Sequence, residues 1–270
     1  MICFPGAKIN IGLSVLNKRC DGYHNIQSIF YPVTGYFDCI EINETDSFEF
    51  TKSGLPISGN DRENLCNKAY EILKKDLLLP DVSIRLLKRI PSGAGLGGGS
   101  SNASSTLKLL NDLFGLNLSN IALTSYASHL GSDCPFFILN QPAYITGRGD
   151  IIEPVGLDLK GYYLTIINPG FSVSTRQAYE NISFSYKKVD LKSLIQLPVD
   201  KWKDLIINDF EKFAFANHPE LSVIKHTFYY SGALYSSMTG SGSSVYAISD
   251  HLLKLPQPLE KYNFWQGKLN

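Results

Sequence analysis

The sequence predicts an α+β protein in two parts, a mixed α/β segment over residues 1–157 and an α+β segment over 158–270, on three observations. Apolar residues in the first part recur at both the strand period of two and the helical period near 3.6. A dense glycine-serine run opens an obvious helix near residue 100. The strand pattern then restarts at YYLTIINP, just before the Pro169-Gly170 break. A chain of 270 residues also exceeds the roughly 150 residues of an ordinary single domain.

The elements follow in order. GAKINIGLSVL alternates, so Lys8 and Asn10 share one strand face and Ile9 and Ile11 the other. Polar residues there fit either a solvent-facing strand or a site. Asn64 suits the N-cap of a helix through LCNKAYEILKKDLL, in which Leu65, Ala69 and Ile72 or Leu73 recur at helical spacing. VSIRLLK places Val82, Ile84 and Leu86 on one face of a strand. Beyond the glycines, Ala103, Leu107, Leu110 and Phe114 form a helical stripe ending at Gly115. A further helix directs Leu123, Ala127 and Leu130 inward and stops at Gly131. In the second part, helices are expected over Asn208 to Ala216 and Pro219 to Phe228, followed by the strand-loop-strand pattern ALYSSMTGSGSSVYAI.

Composition narrows the function. Lys+Arg and Asp+Glu are equal at 25 each, and no long basic block occurs. Neither nucleic acid nor an anionic membrane is therefore expected as a partner; a small molecule is. The start MICFPGAKINIGL lacks the charged and apolar regions of a secretory signal, and no apolar run reaches the ~18 residues of a membrane span, so a cytoplasmic protein is expected. The cysteines 3, 20, 39, 66 and 134 show neither metal-ligand spacing nor a C-x-x-C pair. Cys134 in SDCPFF is either a buried small side chain or a reactive thiol.

The glycine loop IPSGAGLGGGSSNA carries the chemistry. Gly93, Gly95 and Gly98 satisfy G-x-G-x-x-G, yet the segment after the helix is NLSNIALTSYASHL, a second helical pattern without the strand and acidic residue of a dinucleotide site. G-x-x-x-x-G-K-[ST], H-R-D and D-F-G are all absent. Two readings remain, a flexible or tightly packed glycine turn and an anion loop; in the second, glycines let successive N–H groups converge, and Ser100, Ser101 and Asn102 fall where a helix starts and its dipole favours phosphate. Ser100 or Ser101 adds a hydroxyl for phosphate or Mg²⁺. Asp133, in LGSDCPFF, is either an N-cap or a site acid. If Lys8 meets it, the pair suits phosphoryl transfer to an alcohol.

Taken together, AKINIGL, DGYHNI, IPSGAGLGGGSSNA, GSDCPFF and MTGSGSSVYAI resemble the GHMP kinase superfamily from residue 6 to about 248. The resemblance implies a two-domain GHMP kinase fold, with an N-terminal nucleotide-binding domain, a C-terminal substrate-side domain and the active site in the cleft between them. It implies ATP as co-substrate with Mg²⁺, and a small alcohol as acceptor. GLGGGSSNA, with DGYH upstream and SD-x-PFF downstream, is similar to the branch whose alcohol carries a cytidine diphosphate. Other branches, of homoserine or mevalonate type, and a catalytically silent nucleotide-binding module are the alternatives.

Carried over by position, Asp133 is implied as the base and Lys8 as its partner. The ATP phosphates are implied to lie on Pro91, Ser92, Gly93, Ala94, Gly95, Leu96, Gly97, Gly98, Gly99, Ser100 and Ser101, with Asn64 near the nucleotide. Asn10, Tyr23, His24, Tyr179, Gly240 and Ser241 are implied on the substrate side, with Tyr23 and Tyr179 as the aromatics enclosing the base; no residue is assigned to a dedicated metal site. A monomer or weak homodimer is expected. Cys134 replaces a small aliphatic residue, and Ser104 and Ser105 replace alanines; neither change removes a reacting group. The tail after Asp250 matches no motif.

Overall fold

The computed structural model describes residues 1–57, 59–182 and 190–270. Along the chain run β1 (Ile2–Cys3), β2 (Gly6–Lys18), β3 (His24–Phe37), β4 (Cys39–Glu44), β5 (Glu49–Gly54), α1 (Leu65–Leu77), β6 (Val82–Lys88), α2 (Gly98–Leu113), α3 (Asn120–Leu130) and α4 (Cys134–Leu139). They are followed by β7 (Ala143–Thr146), β8 (Ile151–Pro154), β9 (Tyr163–Asn168), α5 (Thr175–Glu180), α6 (Leu191–Leu194), α7 (Glu211–Asn217), α8 (Pro219–Tyr230), β10 (Tyr235–Met238), β11 (Val245–Ser249), α9 (Gln257–Glu260) and β12 (Asn263–Lys268). Two compact units result. The first holds Met1–Lys8, Pro32–Ser92 and Gly97–Gln141; the second holds Ile9–Tyr31, Gly93–Leu96 and Pro142–Asn270.

In the first unit, a sheet ordered β1-β4-β6-β5 carries helices α1 to α4. β6 pairs antiparallel with β4 and parallel with β5. The expected inward face of β6 is present: Val82, Ile84 and Leu86 are buried, and they join Ile40, Ile42, Ala69, Leu73, Leu107 and Leu110 in one core. Full burial of a leucine such as Leu107 stabilises by about 1.5–3 kcal/mol relative to exposure. Truncating it to alanine removes that and leaves a cavity, at a cost of about 2–5 kcal/mol. Asn64 caps α1 as expected, its side-chain oxygen accepting from the Cys66 N–H at 3.0 Å. Gly115, at φ +58°, follows α2, and α3 comes next without an intervening strand. That succession excludes the dinucleotide reading of the glycines.

In the second unit, one sheet is ordered β10-β11-β9-β12, and a second, ordered β2-β3-β7-β8, lies mostly in this unit. The tail that matched no motif supplies β12, which pairs antiparallel with β9 from Asn263↔Asn168 to Lys268↔Tyr163. Leu221, Ile224 and Phe228 of α8 join Ile167, Met238, Val245 and Ala247 in the core. The helix expected from Asn208 begins only at Glu211. Asn208 makes other bonds: its Nδ2 donates to the Met238 and Gly240 carbonyls at 2.8 Å each, and its Oδ1 accepts from the Phe210 N–H at 3.0 Å. A side chain so engaged holds its backbone outside the helix.

Candidate functional site

Within the first unit, β2 delivers Lys8 and the segment before α4 delivers Asp133. Nζ of Lys8 lies 3.5 Å from Oδ2 of Asp133; the lysine side chain is 4% exposed and the aspartate 32%. The solvent-facing reading of this strand is therefore wrong: Lys8 and Asn10 are both buried. Asp133 stands at the N-cap position of α4 but does not cap it, because it makes no side-chain bond there and its backbone is already helical. Burial pushes the Lys8 ammonium below its ordinary pKa, and Asp133 offsets part of that. The carboxylate thus opposes the effect of burial on the lysine, and it keeps one side open to water.

The glycine loop has the backbone its sequence requires. Gly93, Gly95 and Gly97 have φ of +65°, +78° and +68°, a region that side chains disfavour. At Gly97 a Cβ would also stand 2.9 Å from Phe137 and 3.0 Å from Lys8. Helix α2 starts at Gly98 behind the N-cap Gly97, which has no side chain to offer a cap oxygen to the first N–H groups. Pro91 and Ser92 form the turn before the loop; Ser92 and Gly99 are exposed, Ser100 is half-buried and Ser101 is buried. Of the two serines, Ser100 is the accessible hydroxyl.

A cavity of about 140 Å³ adjoins this turn, lined among others by Asn64, Leu86, Lys88, Ser92, Gly99 and Asn102. Asn64 thus combines its capping role with a place in the cavity wall. Oδ1 of Asn102 is buried without a hydrogen-bond partner. Lys88, 2% exposed, pairs with Asp38, which is fully buried. Sequence reasoning missed this pair, although Lys88 is in phase with Val82, Ile84 and Leu86 and so falls on the buried face.

In the second unit, Asn10 is fixed on all sides. Its N–H donates to Thr239 Oγ1 at 3.1 Å, its Nδ2 donates to Ser28 Oγ at 2.9 Å, and its carbonyl accepts from the Tyr246 hydroxyl at 2.7 Å. The Thr239 proton reaches either the Gly95 carbonyl at 2.9 Å or Asn10 Oδ1 at 3.2 Å. A Cβ on Gly95 would stand 2.0 Å from the Thr239 carbonyl, so only glycine fits against this turn. Gly240, at φ +58°, and Ser241, whose hydroxyl meets Thr175 at 2.7 Å, belong to the same turn. Thr239 was not among the expected residues; its place in MTGSGSS is the signal that pointed there.

Tyr179 stacks face to face on His24, with centroids 4.9 Å apart and planes at 15°, and meets Phe210 edge-on. Tyr23 is 58% exposed, and the Arg148 guanidinium lies 5.0 Å from its ring centroid. Arg148 is in turn tied to Asp150 at 3.3 Å. Burial and Lys18 lower the His24 pKa, so its ring is neutral at pH 7 and carries one donor and one acceptor. Cys134 is a buried thiol. Burial pushes its pKa up to about 11, and Ser104 donates to its carbonyl at 2.7 Å, so the reactive reading fails.

The description "GHMP kinases N terminal domain" matches residues 64–141, and "GHMP kinases C terminal" matches 191–259. Fold and matched segments together define a GHMP kinase. A curated relative from Parabacteroides distasonis, 4-diphosphocytidyl-2-C-methyl-D-erythritol kinase, is 49% identical over 100% of both chains. A crystal structure of 4-(cytidine 5'-diphospho)-2C-methyl-D-erythritol kinase superposes with a TM-score of 0.85 at 29% identity, covering 99% of this chain and 98% of that one. The Methanococcus jannaschii mevalonate kinase, with a TM-score of 0.67 and 15% identity over 100% of this chain and 98% of that one, shares the fold. The chain belongs to the 4-diphosphocytidyl-2-C-methyl-D-erythritol kinase family of GHMP kinases. Among the described residues, no helix is long and apolar enough to cross a membrane.

Proposed function

We propose that the protein transfers the γ-phosphoryl group of ATP to the 2-hydroxyl of 4-diphosphocytidyl-2-C-methyl-D-erythritol, giving the 2-phosphate and ADP in the non-mevalonate route to isoprenoid precursors. The observation that carries this reading is the contact of Lys8 with a half-open Asp133. Asp133 accepts the hydroxyl proton as the oxygen attacks phosphorus. Lys8 lies against the carboxylate and balances charge as the proton is transferred. The transition state is loose, so positioning and charge compensation do most of the work. N–H groups from Gly93 to Ser101 and the start of α2 take the phosphates, with Asn64 at the nucleotide.

On the acceptor side, Asn10, Gly240 and Ser241 hold the substrate, and Tyr23, His24 and Tyr179 recognise the cytidine. The stack of Tyr179 on His24 supports these two as one wall, and exposed Tyr23 as the ring open to the base. Mg²⁺ fits the donor set in one way. Among the described residues no group of three His, Cys, Asp or Glu side chains forms a cage, and this ion is commonly held by phosphates and water with few protein oxygens. The Ser100 hydroxyl would be such an oxygen, and the ion would neutralise phosphate charge.

The matched stretches fall on either side of residue 157, which supports N-terminal 1–157 and C-terminal 158–270 as the family's two domains. The balanced charge supports the absence of nucleic-acid and anionic-membrane partners, and a cytoplasmic monomer or weak homodimer completes the proposal. ADP release measured with the diphosphocytidyl alcohol, homoserine and mevalonate tests the assignment. Turnover with homoserine or mevalonate but none with the diphosphocytidyl alcohol would overturn it; no turnover with any would favour a silent nucleotide-binding module.

A further inference from the structure

We propose that Asp38 is a positioning residue for the nucleotide: it holds the Lys88 ammonium and the end of β6 against the start of α2, and thereby sets the affinity for ATP. The inference rests on the reading above, in which the glycine loop and adjoining cavity take ATP.

Every acceptor position of Asp38 that the fold reaches is directed at this one strand end. Oδ2 takes the Lys88 ammonium, and Oδ1 accepts from the backbone N–H groups of Arg89 at 2.6 Å and Ile90 at 2.8 Å. Ile90 is the residue from which IPSGAG departs. The strand end is gripped from other directions as well. The Tyr36 hydroxyl donates to the Arg89 carbonyl at 3.1 Å, and the Leu55 N–H donates to the Lys88 carbonyl at 2.8 Å.

The ammonium itself lies at the first residue of α2. A Cβ on Gly98 would stand 2.8 Å from Lys88 Nζ, and the same lysine lines the cavity with Asn64, Gly99 and Asn102. A cation buried at a helix N-terminus opposes the helix dipole, and burying it costs desolvation as well. One carboxylate offsets one ammonium, but the positive helix end remains. A buried ion pair is a poor device for stability alone, since an apolar pair of similar volume serves as well. Its place here points to an anion on the cavity side, for which Lys88 and the helix start add their charge. The partnerless Oδ1 of Asn102 in the same cavity calls for an N–H or O–H donor, which a nucleoside supplies.

The test compares wild type, Asp38→Asn, Lys88→Met and the double variant by steady-state kinetics in both substrates and by calorimetric titration with ADP. Each single variant is expected to raise KM for ATP and Kd for ADP about tenfold, as for a lost charged hydrogen bond. KM for the alcohol should stay within about twofold and kcat within about threefold. The double variant should be no worse than Lys88→Met, because the two residues act as a unit. Should Asp38→Asn fail to fold, the double variant decides: it leaves neither charge unpaired and keeps an amide oxygen for the Arg89 and Ile90 N–H groups. A folded Asp38→Asn or double variant with wild-type KM for ATP would overturn the proposal, as would an equal rise in both KM values. Failure of wild type itself to bind ADP would overturn the ATP reading, and this inference with it.

Discussion

Lys8 faces Asp133 at 3.5 Å with about a third of the aspartate side chain exposed, whereas Lys88 faces Asp38 with both side chains sealed from water. The two pairs lie in the same unit and use the same ions. They differ in what else the carboxylate holds. Asp38 accepts two backbone N–H bonds besides its ammonium, so a proton arriving there would break bonds already made. Asp133 makes no cap bond, and water reaches it, so it has acceptor capacity left for a substrate hydroxyl. Saturation, more than the presence of a lysine partner, separates a carboxylate that holds backbone in place from one equipped to take a proton.

The largest expected effect breaks the closed pair. Asp38→Ala strands a buried ammonium and two N–H groups, and should cost about 3–5 kcal/mol in urea unfolding. The same change at Asp133 should cost less, and equal losses would erase the distinction. Next comes chemistry at the open pair: Asp133→Asn should lower kcat by about 10² or more while leaving Kd for ADP unchanged. Near-normal ADP release would remove Asp133 from the mechanism.

Tyr23→Ala should raise KM for the diphosphocytidyl alcohol by about 3- to 10-fold, the scale of an aromatic stack, with KM for ATP unaffected. The reverse pattern would move Tyr23 out of the cytidine site. The smallest effect is in pH. Because burial lowers the Lys8 pKa, kcat should fall on the alkaline side before the ordinary lysine value of 10.5. Between the lowered value and 10.5 the unfolded chain binds more protons, so the contribution of Lys8 to stability rises with pH in that window. A Lys8→Met variant should lack that rise in melting temperature; an unchanged slope would show that Lys8 does not titrate there.

Much of this was legible in the residues because it depends on local pattern. The β6 alternation, the Asn64 cap and the apolar stripe of α2 each follow from spacing, and each is present. The Asn208 region was misread because its side chain bonds to Met238 and Gly240, some 30 residues away. The tail after Asp250 gave no motif because an outer strand needs only a partner such as β9, and no site residues of its own. The structure stacks Tyr179 on His24 and sets Tyr23 beneath Arg148, contacts that the sequence did not show. Arg148 lies more than 100 positions from DGYH, beyond what periodicity can report.

The sequence by itself determined the class of chemistry, since glycines placed before a helix and a lysine and an aspartate in two separate motifs are chemical facts of composition and order. Tertiary structure alone decided which charges meet: Lys8 with Asp133 and Lys88 with Asp38, across 125 and 50 positions of chain. Spacing along the chain specifies which face of an element a residue occupies. Which other face it meets, and whether water follows it there, depends on long-range packing, and that packing seals one carboxylate among backbone N–H groups and leaves the other open to water.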